Sequence, residues 1–519
     1  EKKTASNSLP KTGGSYYLTE DVTLTATWSP ADGTTLCLNG YSIISKSNNY
    51  GIKIDGGVAF TLCDCNGSKN TYRFEEDTYK LWKLDKSGSH EVTGGILTSG
   101  GSGVFINNGT FNMYGGTIVG NRGNSNKGGG VFINFNGSNN KFNMYGGAIV
   151  GNSVSGDSTT DGGGGVYVGG NSNTFNMYGG EISGNATTKH ASGGGVNVND
   201  KGTFNMTGGV IGGEGKGNTS SWGGGGVYID EQCVFTMSGS ARITDNKETY
   251  GAGGGVQVSG GTFTMSGDAE IVNNQTTGTN GSGGGGVSVS KNSAFTMSGN
   301  AAITGNSSRG NGGGVSVRGN TLIVSGNVRI TGNTKGNEAN NVYLGQYNDD
   351  PMPIITIAKG GLTEGAKIGV TPQTSPAADS PVTFAKGMTG YTVNSTDAKA
   401  FFADAGTDYK AQLNGTDIRL TAGHADHPIC GATCTDKEKH SDVTWTAVSK
   451  PADIKTAGYY YLTQNADDVD WTVPAGGVTL DLYGHSIKRK FNSTEAITVN
   501  SGSTFTLTDC GTAGTVTHE

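Results

Sequence analysis

One short stretch of the sequence concentrates side chains that bind metal ions. Residues 422–442 contain His424, His427, Cys430, Cys434 and His440. The four residues from His427 to His440 supply two imidazoles and two thiolates, a donor set that can hold Zn²⁺ tetrahedrally. The spacing is wider than the Cys-x2-Cys pairs of zinc ribbons, so a polar hinge with a Cys430–Cys434 disulfide or with thiols is the alternative. The sequence therefore allows one structural zinc in this linker and indicates no other cofactor.

Carboxylates and a histidine in neighbouring repeats could converge for acid–base chemistry. Polysaccharide lyases and glycoside hydrolases use paired acids, or an acid-bound metal with a basic residue. Asp157 and Asp161 share one long loop, His190 lies in the next loop, and Glu181 lies between these loops in the sequence. An enzyme would bring these four residues into one cleft. No pairing in the sequence matches a lyase active site, so the prediction leans against catalysis and keeps an enzyme as the alternative.

Aromatic residues recur at fixed places in successive repeats and could bind sugars. Sugar rings pair their apolar faces with exposed aromatic faces. The same side chains could instead stabilise contacts between strands, or be covered by a loop. The predicted ligand-binding residues are Phe105, Phe132 and Tyr167, with Tyr228 further along the same column, then Tyr114, Tyr145 and Tyr178, and finally Trp222 in a variable loop.

Two cysteines are candidates for a disulfide. Cys37 and Cys63 fall at outward positions of neighbouring strands, and a second copy of the segment carries Asp481 and Thr508 in their places. Joint loss is what a bonded pair predicts, and stacked strands lie within disulfide reach. Two thiols would fit the sequence nearly as well. A bond between them would indicate an oxidising, extracellular setting.

The elements that must position all these side chains are repeats of about 30 residues. Gly-Gly-Gly-Val-x-Val, a turn, Phe-x-Met-x-Gly and Ile-x-x-Asn recur eight times between Val104 and Asn333. A fixed period of that size is typical of a stacked array rather than a globular core. The first valine of each repeat is Val104, Val131, Val166, Val196, Val227, Val256, Val287 and Val315.

Apolar residues alternate within each repeat, which predicts three short strands per coil. The fold class is therefore all-β, a right-handed parallel β-helix with successive coils about 4.8 Å apart. Columns of phenylalanine from Phe111 and of methionine from Met113 are expected inside. A third column is asparagine, with Glu214 in its place in one coil, and we expect it to adopt a left-handed turn and bond to the next coil. The predicted column is Asn121, Asn152, Asn185, Asn246, Asn274, Asn306 and Asn333.

The two ends of the chain resemble each other, which sets the predicted domains. Tyr16-Tyr17-Leu18 matches Tyr460-Tyr461-Leu462, and the later strands match in order. The predicted division is a cap with the first coils in 1–100, repeats in 101–340, closing strands with a small β-rich cap in 341–421, the His/Cys linker in 422–444, and the beginning of a second β-helix module in 445–519. Tandem modules of a longer chain are therefore expected.

Composition excludes several classes of protein. Glycine contributes 92 of 519 residues and proline only 10, without a three-residue period, so the chain is not collagen-like. The formal net charge of −7 gives no support for binding nucleic acid or an anionic membrane. No apolar run is long enough to span a bilayer, so direct membrane insertion is not expected.

The repeats are similar to the Gly-Gly-x-Ile and Phe-x-x-Asn repeats of chlamydial polymorphic membrane protein adhesins. The whole arrangement, with its Tyr-Tyr-Leu-Thr cap, Leu-x-Leu-x-Gly-x-Ser-Ile strand and His/Cys linker, resembles adhesin-like, pectate-lyase-like surface proteins of Gram-positive gut anaerobes. The resemblance implies a secreted or bacterial cell-surface rod that binds a polysaccharide or glycoprotein through its variable edge. Fold does not transfer function, so a polysaccharide-active enzyme and a structural spacer or filament subunit are the alternatives.

Overall fold

The computed structural model of the protein describes most of the chain. The described residues are 2–3, 9–77, 81–123, 126–278, 283–290, 292–318, 321–346, 351–376, 380–404, 409–422, 445–489, 494–508 and 516–517. They form a parallel β-solenoid of about 15 turns, which confirms the predicted fold class. The chain divides into two compact units, one built mostly from residues 1–374 and the other mostly from 419–519.

One sheet of the first unit carries the Phe-x-Met strands, and we call it the Phe–Met sheet. The strands of the repeats pair in parallel and in register, so Phe111 stands opposite Phe142 and Met113 opposite Met144. The register shifts only later, between Thr321–Gly326 and Ile355–Leu362. The strands, from the first coil, are Gly14–Tyr17, Thr34–Cys37, Ala59–Cys63, Thr110–Met113, Lys141–Met144, Thr174–Met177, Thr203–Met206, Val234–Met237, Thr262–Met265, Ala294–Met297, Thr321–Gly326, Ile355–Leu362 and Val382–Gly387.

Each coil contributes two further strands to a second large sheet. The strands that begin near the glycine triplet are Tyr50–Asp55, Ser102–Asn107, Val131–Ile133, Val166–Gly169, Val196–Asn199, Val227–Ile229, Val256–Val258, Val287–Val289, Val315–Arg318 and Val342–Gly345. The isoleucine strands are Val22–Leu24, Ser42–Ser45, Ile96–Ser99, Thr117–Val119, Ala148–Val150, Glu181–Ser183, Val210–Gly212, Arg242–Thr244, Glu270–Val272, Ala302–Thr304, Arg329–Thr331 and Lys367–Pro372. The sequence therefore identified the three strands of every repeat.

A fourth ladder, which the sequence did not predict, lies along the variable edge. Its parallel strands are Ser153–Gly156, Ala186–Lys189, Thr219–Ser220, Lys247–Glu248, Gln275–Thr276, Ser307–Ser308 and Thr334–Lys335, closed by the antiparallel Glu338–Ala339. In these coils the variable loop begins with a strand of this sheet, so the edge from which the loops project is regular.

The interior of the first unit is a stack of aromatic rings. The phenylalanines of the Phe–Met strands are fully buried, and neighbouring rings lie parallel. They are Phe60, Phe111, Phe142, Phe175, Phe204, Phe235, Phe263 and Phe295. The centroids of Phe142 and Phe175 are 4.6 Å apart with planes 6° from parallel. Burial of each such side chain contributes about 1.5–3 kcal/mol, so this column stabilises the coils that carry the surface residues described below.

Asparagines form a second internal column, one per coil. In each link the side-chain amide of one asparagine donates to the Oδ1 atom of the asparagine in the next coil, as between Asn152 and Asn185 at 2.9 Å. The column corrects two expectations. Asn218, not Glu214, occupies the coil that seemed to break it. The left-handed conformation belongs to the residue before the asparagine, such as Gly184 at φ +59°, because glycine tolerates positive φ without strain.

The glycine triplets are required by close approach between coils. A Cβ atom at Gly164 would lie 2.5 Å from the carbonyl oxygen of Gly194 and 2.7 Å from that of Ala186. The preceding Gly163 adopts φ +67°, and a Cβ atom there would lie 2.3 Å from the carbonyl oxygen of Val166. The triplet therefore folds tightly over the strand that follows it.

Residues 71–93 interrupt the solenoid with a small antiparallel sheet, which we call the insert. Its strands are Thr71–Glu76, Trp82–Leu84 and His90–Thr93. Phe74 is fully buried against Ile96 and Val119 of the isoleucine strands, so the insert packs on the outer face of the solenoid. The first unit closes after helix Ser395–Lys399, capped by Asn394, and strand Phe401–Ala403; strands Tyr409–Asn414 and Asp417–Ala422 follow in the chain.

The second unit contains a smaller parallel array. Its main sheet pairs Trp445–Val448, Gly458–Leu462, Gly476–Asp481 and Ser503–Thr508. A 3₁₀ turn covers Pro451–Asp453, and shorter pairs join Ala466–Val469 to Ile487–Arg489 and Trp471–Thr472 to Ile497–Thr498. Trp471, Leu480 and Ile487 belong to one buried cluster. The strands lie where the match between the two ends of the sequence places them.

Candidate functional site

Three tyrosines form an exposed ladder on the early coils. Tyr114, Tyr145 and Tyr178 directly follow three successive strands of the Phe–Met sheet and are 56%, 42% and 47% exposed. Their ring centroids are 4.5 Å and 4.9 Å apart, with planes within 13° of parallel. The sequence predicted that these three residues stack, and the structure confirms it. We call them the tyrosine ladder.

The stacking decides which part of each ring a ligand can reach. Neighbouring rings cover each other's faces, so the ladder presents phenol edges and hydroxyl groups along its length and an open face only at its ends. Burial and the neighbouring phenols Tyr114 and Tyr178 raise the pKa of Tyr145 above its ordinary value. The hydroxyl of Tyr145 therefore stays protonated at neutral pH and can both donate and accept a hydrogen bond.

The sheet face beside the tyrosine ladder is polar and almost uncharged. Asn143, Asn176 and Asn205 each donate a side-chain hydrogen bond of 2.9–3.0 Å to the asparagine of the preceding coil. Outward residues of the eight strands from Thr110 to Gly326, all of which the structure describes, include one charged side chain, Lys141. This face offers amides and hydroxyls at intervals of one coil.

A cleft of about 730 Å³ lies between the insert and the variable edge. On the insert side, the indole of Trp82 stacks on the imidazole of His90, with centroids 4.2 Å apart. The indole N–H donates to Glu76 Oε1 at 3.2 Å. The indole also lies over Gly151, where a Cβ atom would come within 2.3 Å of the ring, so glycine is needed at this position. The remaining walls include Thr117, Ala148, Glu181, Ser183, Lys189, Lys216 and Ser221.

Most cations around the cleft are paired with carboxylates. Lys216 Nζ lies 3.7 Å from Glu181 Oε1, and Lys189 Nζ lies 3.2 Å from Asp157 Oδ1. His90 Nε2 lies 3.5 Å from Glu76 Oε1, and Arg73 pairs with Glu91. The acids Glu76, Glu91 and Glu181 thus bring at least as many negative charges to the cleft as its lysines bring positive ones.

The cleft and the tyrosine ladder meet at one corner of the solenoid. Tyr145 and Tyr178 are each followed by a Gly-Gly pair and then by a cleft residue, Ala148 or Glu181. A shallower depression is lined by Gly147, Gly180 and Lys216, and it shares Ala148, Glu181 and Lys216 with the cleft. The glycines leave the corner without side chains, so the two surfaces are continuous.

The other predicted aromatic column is buried, which corrects the prediction that it binds a ligand at the surface. Phe105, Phe132 and Tyr167 are 7%, 3% and 0% exposed, and Tyr228 is 3% exposed. The reason is the glycine triplet: Gly128 folds so closely over Phe132 that a Cβ atom on it would lie 2.7 Å from the phenylalanine Cβ. Desolvation then raises the pKa of Tyr167 far above its ordinary value. The side chains of this column therefore pack against one another and against the glycine turn, and a ligand at the surface does not reach them.

The four residues suggested for catalysis do not share one environment. Glu181 lines the cleft, but Asp157, Asp161 and His190 are not among the residues that line it. Asp161 accepts hydrogen bonds from the backbone of Asp157 and Ser158 and pairs with Lys127 at 3.3 Å, so it organises its own loop. The cleft that an enzyme would need does not contain all four of these side chains. Arg242 and Glu270, which stand opposite each other on adjacent coils, form an ion pair at 3.3 Å.

Trp222 and His190 contribute to a separate aromatic group on the variable edge. The ring of Trp222 lies 5.0 Å from that of Tyr250 in a stacked arrangement, and the imidazole of His190 meets the indole edge-on at 4.8 Å. Tyr250 is 47% exposed. The group is accessible, but the cleft does not include its rings. A ligand-binding role for Trp222 stays a prediction.

The cysteines near the first end of the solenoid pair differently from the prediction. Cys37 and Cys63 are opposite each other in register, as expected, yet the disulfide joins Cys37 to Cys65, with Cα atoms 6.0 Å apart. Cys65 lies beyond the end of its strand, where the backbone can turn its side chain toward Cys37. The proposed zinc ligands His427, Cys430, Cys434 and His440 lie outside the described residues.

The residues that sequence reasoning missed are those of the insert. Trp82, His90, Glu76 and Glu91 belong to a segment that lacks the repeat, so no column pointed to them. A signal was present: residues 71–93 are far richer in charged and aromatic side chains than the chain as a whole, of which charged residues form 15%. A segment that is rich in charged and aromatic residues and interrupts a glycine-rich solenoid indicates a surface with a role of its own.

Comparisons with known proteins leave the site to be interpreted from its own geometry. No protein-family model, curated protein or solved structure matches the chain. Within the described part of the chain, no helix has the length and apolar character needed to cross a membrane.

Proposed function

We propose that this protein is a non-catalytic, extracellular rod that binds a neutral polysaccharide across the tyrosine ladder and the cleft beside it. The observation that carries the proposal is the exposure of three stacked tyrosines beside a cleft that Trp82 lines. Only glycines separate Tyr145 and Tyr178 from the cleft residues Ala148 and Glu181. Rows of hydroxyl and amide groups, flanked by aromatic rings, provide the mixture of polar and apolar contacts that sugars require.

The charges favour a neutral glycan over an acidic one. A uronate or sulfate group needs a cation that is not already matched, because desolvating an anion without a partner is costly. Lys189, Lys216 and Arg73 each have a carboxylate beside the cationic group, and Glu76 lies beside the imidazole of His90. A polymer of neutral sugars, with hydroxyls alone, meets no such cost at these walls.

The location is part of the proposal. A Cys37–Cys65 disulfide supports an oxidising compartment such as the outside of the cell. A solenoid of about 15 turns is also long enough to hold a binding surface away from whatever carries it. We therefore propose a secreted or cell-surface protein whose partners are glycans or glycoproteins.

A second function is favoured by one observation, the gathering of acids in the cleft. Glu76, Glu91 and Glu181 line the same cavity. Two carboxylates on opposite sides of a sugar chain are the requirement for glycosidase chemistry. A polysaccharide-active enzyme is accordingly the alternative, with Glu181 in place of the four-residue set predicted from the sequence.

A matched pair of polymers tests the binding proposal. Polygalacturonate and the galactan obtained by reducing its carboxyl groups differ only at C6, which carries a carboxylate in one and a hydroxymethyl group in the other. Calorimetry or an immobilised-polymer assay compares them directly, beside a panel of neutral glucans, xylans and mannans. We expect binding to neutral polymers and weaker or no binding to the uronate. Preference for polygalacturonate over its reduced form would contradict the charge argument.

Variants then locate the surface. Tyr145→Ala removes the middle ring of the ladder, and we expect the dissociation constant to rise about tenfold, the equivalent of about 1.4 kcal/mol. Tyr250→Ala is the control, because it removes a tyrosine of similar exposure from another edge. An equal rise of the dissociation constant in the two variants would show that the tyrosine ladder is not the binding surface. Release of reducing ends or of unsaturated sugars from a bound polymer, lost in Glu181→Gln, would replace it with the enzyme.

A further inference from the structure

Three cysteine sulfurs meet on the first coils of the Phe–Met sheet. Cys37 and Cys63 are register partners on adjacent parallel strands, and Cys65 follows two residues later. The three Sγ atoms all lie within 4.8 Å of one another. Two of them form the Cys37–Cys65 disulfide, and the third, Cys63, remains a thiol beside it. A thiol at this distance from a disulfide is the arrangement from which exchange proceeds.

We propose that Cys37, Cys63 and Cys65 form a thiol–disulfide exchange site in which Cys37 alternates between two partners. The thiolate of Cys63 attacks the Sγ atom of Cys37, a new Cys63–Cys37 bond forms, and the Cys37–Cys65 bond breaks. The electron pair of the broken bond leaves on Cys65, which takes up the proton that Cys63 released. One disulfide and one thiol are present before and after, so no external oxidant or reductant is consumed.

The surroundings of the three sulfurs fit an exchange with little movement of the backbone. The thiol of Cys63 donates to the carbonyl oxygen of Leu36 at 3.6 Å, which holds it next to the strand that carries Cys37. The backbone N–H of Cys65 donates to Cys37 Sγ at 2.9 Å, so the leaving partner is also held close. Strands of neighbouring coils lie within the Cα separation that a disulfide spans.

The two states differ at the surface. Cys37 is only 4% exposed, whereas Cys65 is exposed. The Cys37–Cys65 state keeps the remaining thiol on the half-buried Cys63. The Cys37–Cys63 state moves it to the exposed Cys65, where a thiol of another molecule could react with it in the presence of an oxidant. The site is therefore a modification site whose accessibility is set by the internal exchange.

The second unit of the same chain has lost this chemistry. The positions equivalent to Cys37 and Cys63 carry Asp481 and Thr508, which stand opposite each other in register. Neither side chain can form a disulfide, so these two positions of the second unit cannot carry out the exchange. The inference does not depend on glycan binding.

Peptide mapping of the full-length protein tests the proposal. The native chain is quenched in acid, its thiols are alkylated, and it is digested without reduction by a protease that cleaves before aspartate, which separates Cys63 from Asp64-Cys65. We expect both Cys37–Cys65 and Cys37–Cys63 linked peptides, with the alkyl label divided between Cys63 and Cys65. Label on Cys63 alone, at every incubation time, would overturn the proposal.

Single variants provide the control. Cys65→Ser should form the Cys37–Cys63 bond, and Cys63→Ser should keep the Cys37–Cys65 bond, with both variants retaining the far-ultraviolet circular dichroism of a β protein. In Cys37→Ser neither of these bonds can form. If Cys65→Ser is folded but carries two alkylated thiols at 37 and 63, or if Cys37 pairs with a cysteine elsewhere in the chain, the three residues do not form one exchange site.

Discussion

The early and late coils of the Phe–Met sheet have the same backbone and different surfaces. The strands at Thr174–Met177 and Thr262–Met265 carry the same buried phenylalanine and methionine in the same register. The position after the methionine is tyrosine in three early coils and becomes Thr207, Ser238, Ser266 and Ser298 in the later ones, and Ser325 follows Val324 at the same place in the next coil. The early coils also carry the insert. The scaffold is therefore uniform, and the surface proposed to bind is confined to one end of it.

The largest effect should come from the shared core, equally at both ends. Phe142→Ala in an early coil and Phe263→Ala in a late coil each remove a fully buried ring from the stack, which costs about 3–5 kcal/mol in the free energy of unfolding. Thermal or denaturant unfolding of the two variants measures the difference. A loss in one coil that is several times the loss in the other would show that the scaffold is not uniform.

One residue in a late coil should make the free energy of unfolding depend on pH by about 3 kcal/mol. Glu248 is fully buried in a column that elsewhere holds Ser220, Thr276 and Ser308, and burial raises its pKa from 4.5 to about 7. The folded state keeps the proton while the unfolded state releases it, so this stability is complete below about pH 4.5 and is lost as the pH rises toward 7.

The variant Glu248→Gln isolates that effect. Its unfolding free energy should be less sensitive than the parent's between pH 4.5 and 7, and it should be the more stable protein at pH 8. Unfolding curves of both proteins across this range provide the measurement. Parallel pH profiles for the two proteins would mean that the carboxyl group has an ordinary pKa in the folded state.

Removing one asparagine from the internal column should lower the free energy of unfolding by less than removing a core ring, and by the same amount in early and late coils. Asn152→Ala removes the amide that donates to Asn185 and to the carbonyl oxygen of Ile118, and leaves buried groups without partners. Each buried group left without a partner costs about 1–3 kcal/mol. Asn274→Ala is the matched variant in a late coil. A change at the half-buried Asn143, with the same side chain on the outer face, should cost less than either.

The smallest effect should come from extending the tyrosine ladder into a late coil. Thr207 is the next residue in the column after Tyr178, and Thr207→Tyr would add a fourth ring one coil further along. We expect neutral polysaccharides to bind about threefold more tightly, or about 0.6 kcal/mol. Ser298→Tyr, three coils beyond that position, is the control. Equal gains from both variants would indicate nonspecific aromatic contact.

Periodicity explains how much of this molecule could be predicted from its sequence. Each column, such as Phe111 with Phe142, is repeated often enough for inward and outward positions to be separated. The errors occur where the period fails. Asn218 was missed because four extra residues precede it, and the burial of Tyr167 was missed because alternation identifies a face of a strand without showing that a glycine turn covers it. Cys65 lies outside a strand, and Trp82 lies outside the repeat.

The asparagine column has an electrical consequence. Every link from Asn121 to Asn341 donates in the same sense, so the side-chain amide dipoles add along the axis as peptide dipoles do in a helix. Asn341, at the end where the N–H groups point, donates to the carboxyl oxygen Asp404 Oδ1 at 2.6 Å. At the other end, Asn121 Oδ1 is buried without a hydrogen-bond donor. This column therefore gives the solenoid of the first unit a positive and a negative end, with an acidic group at the positive one.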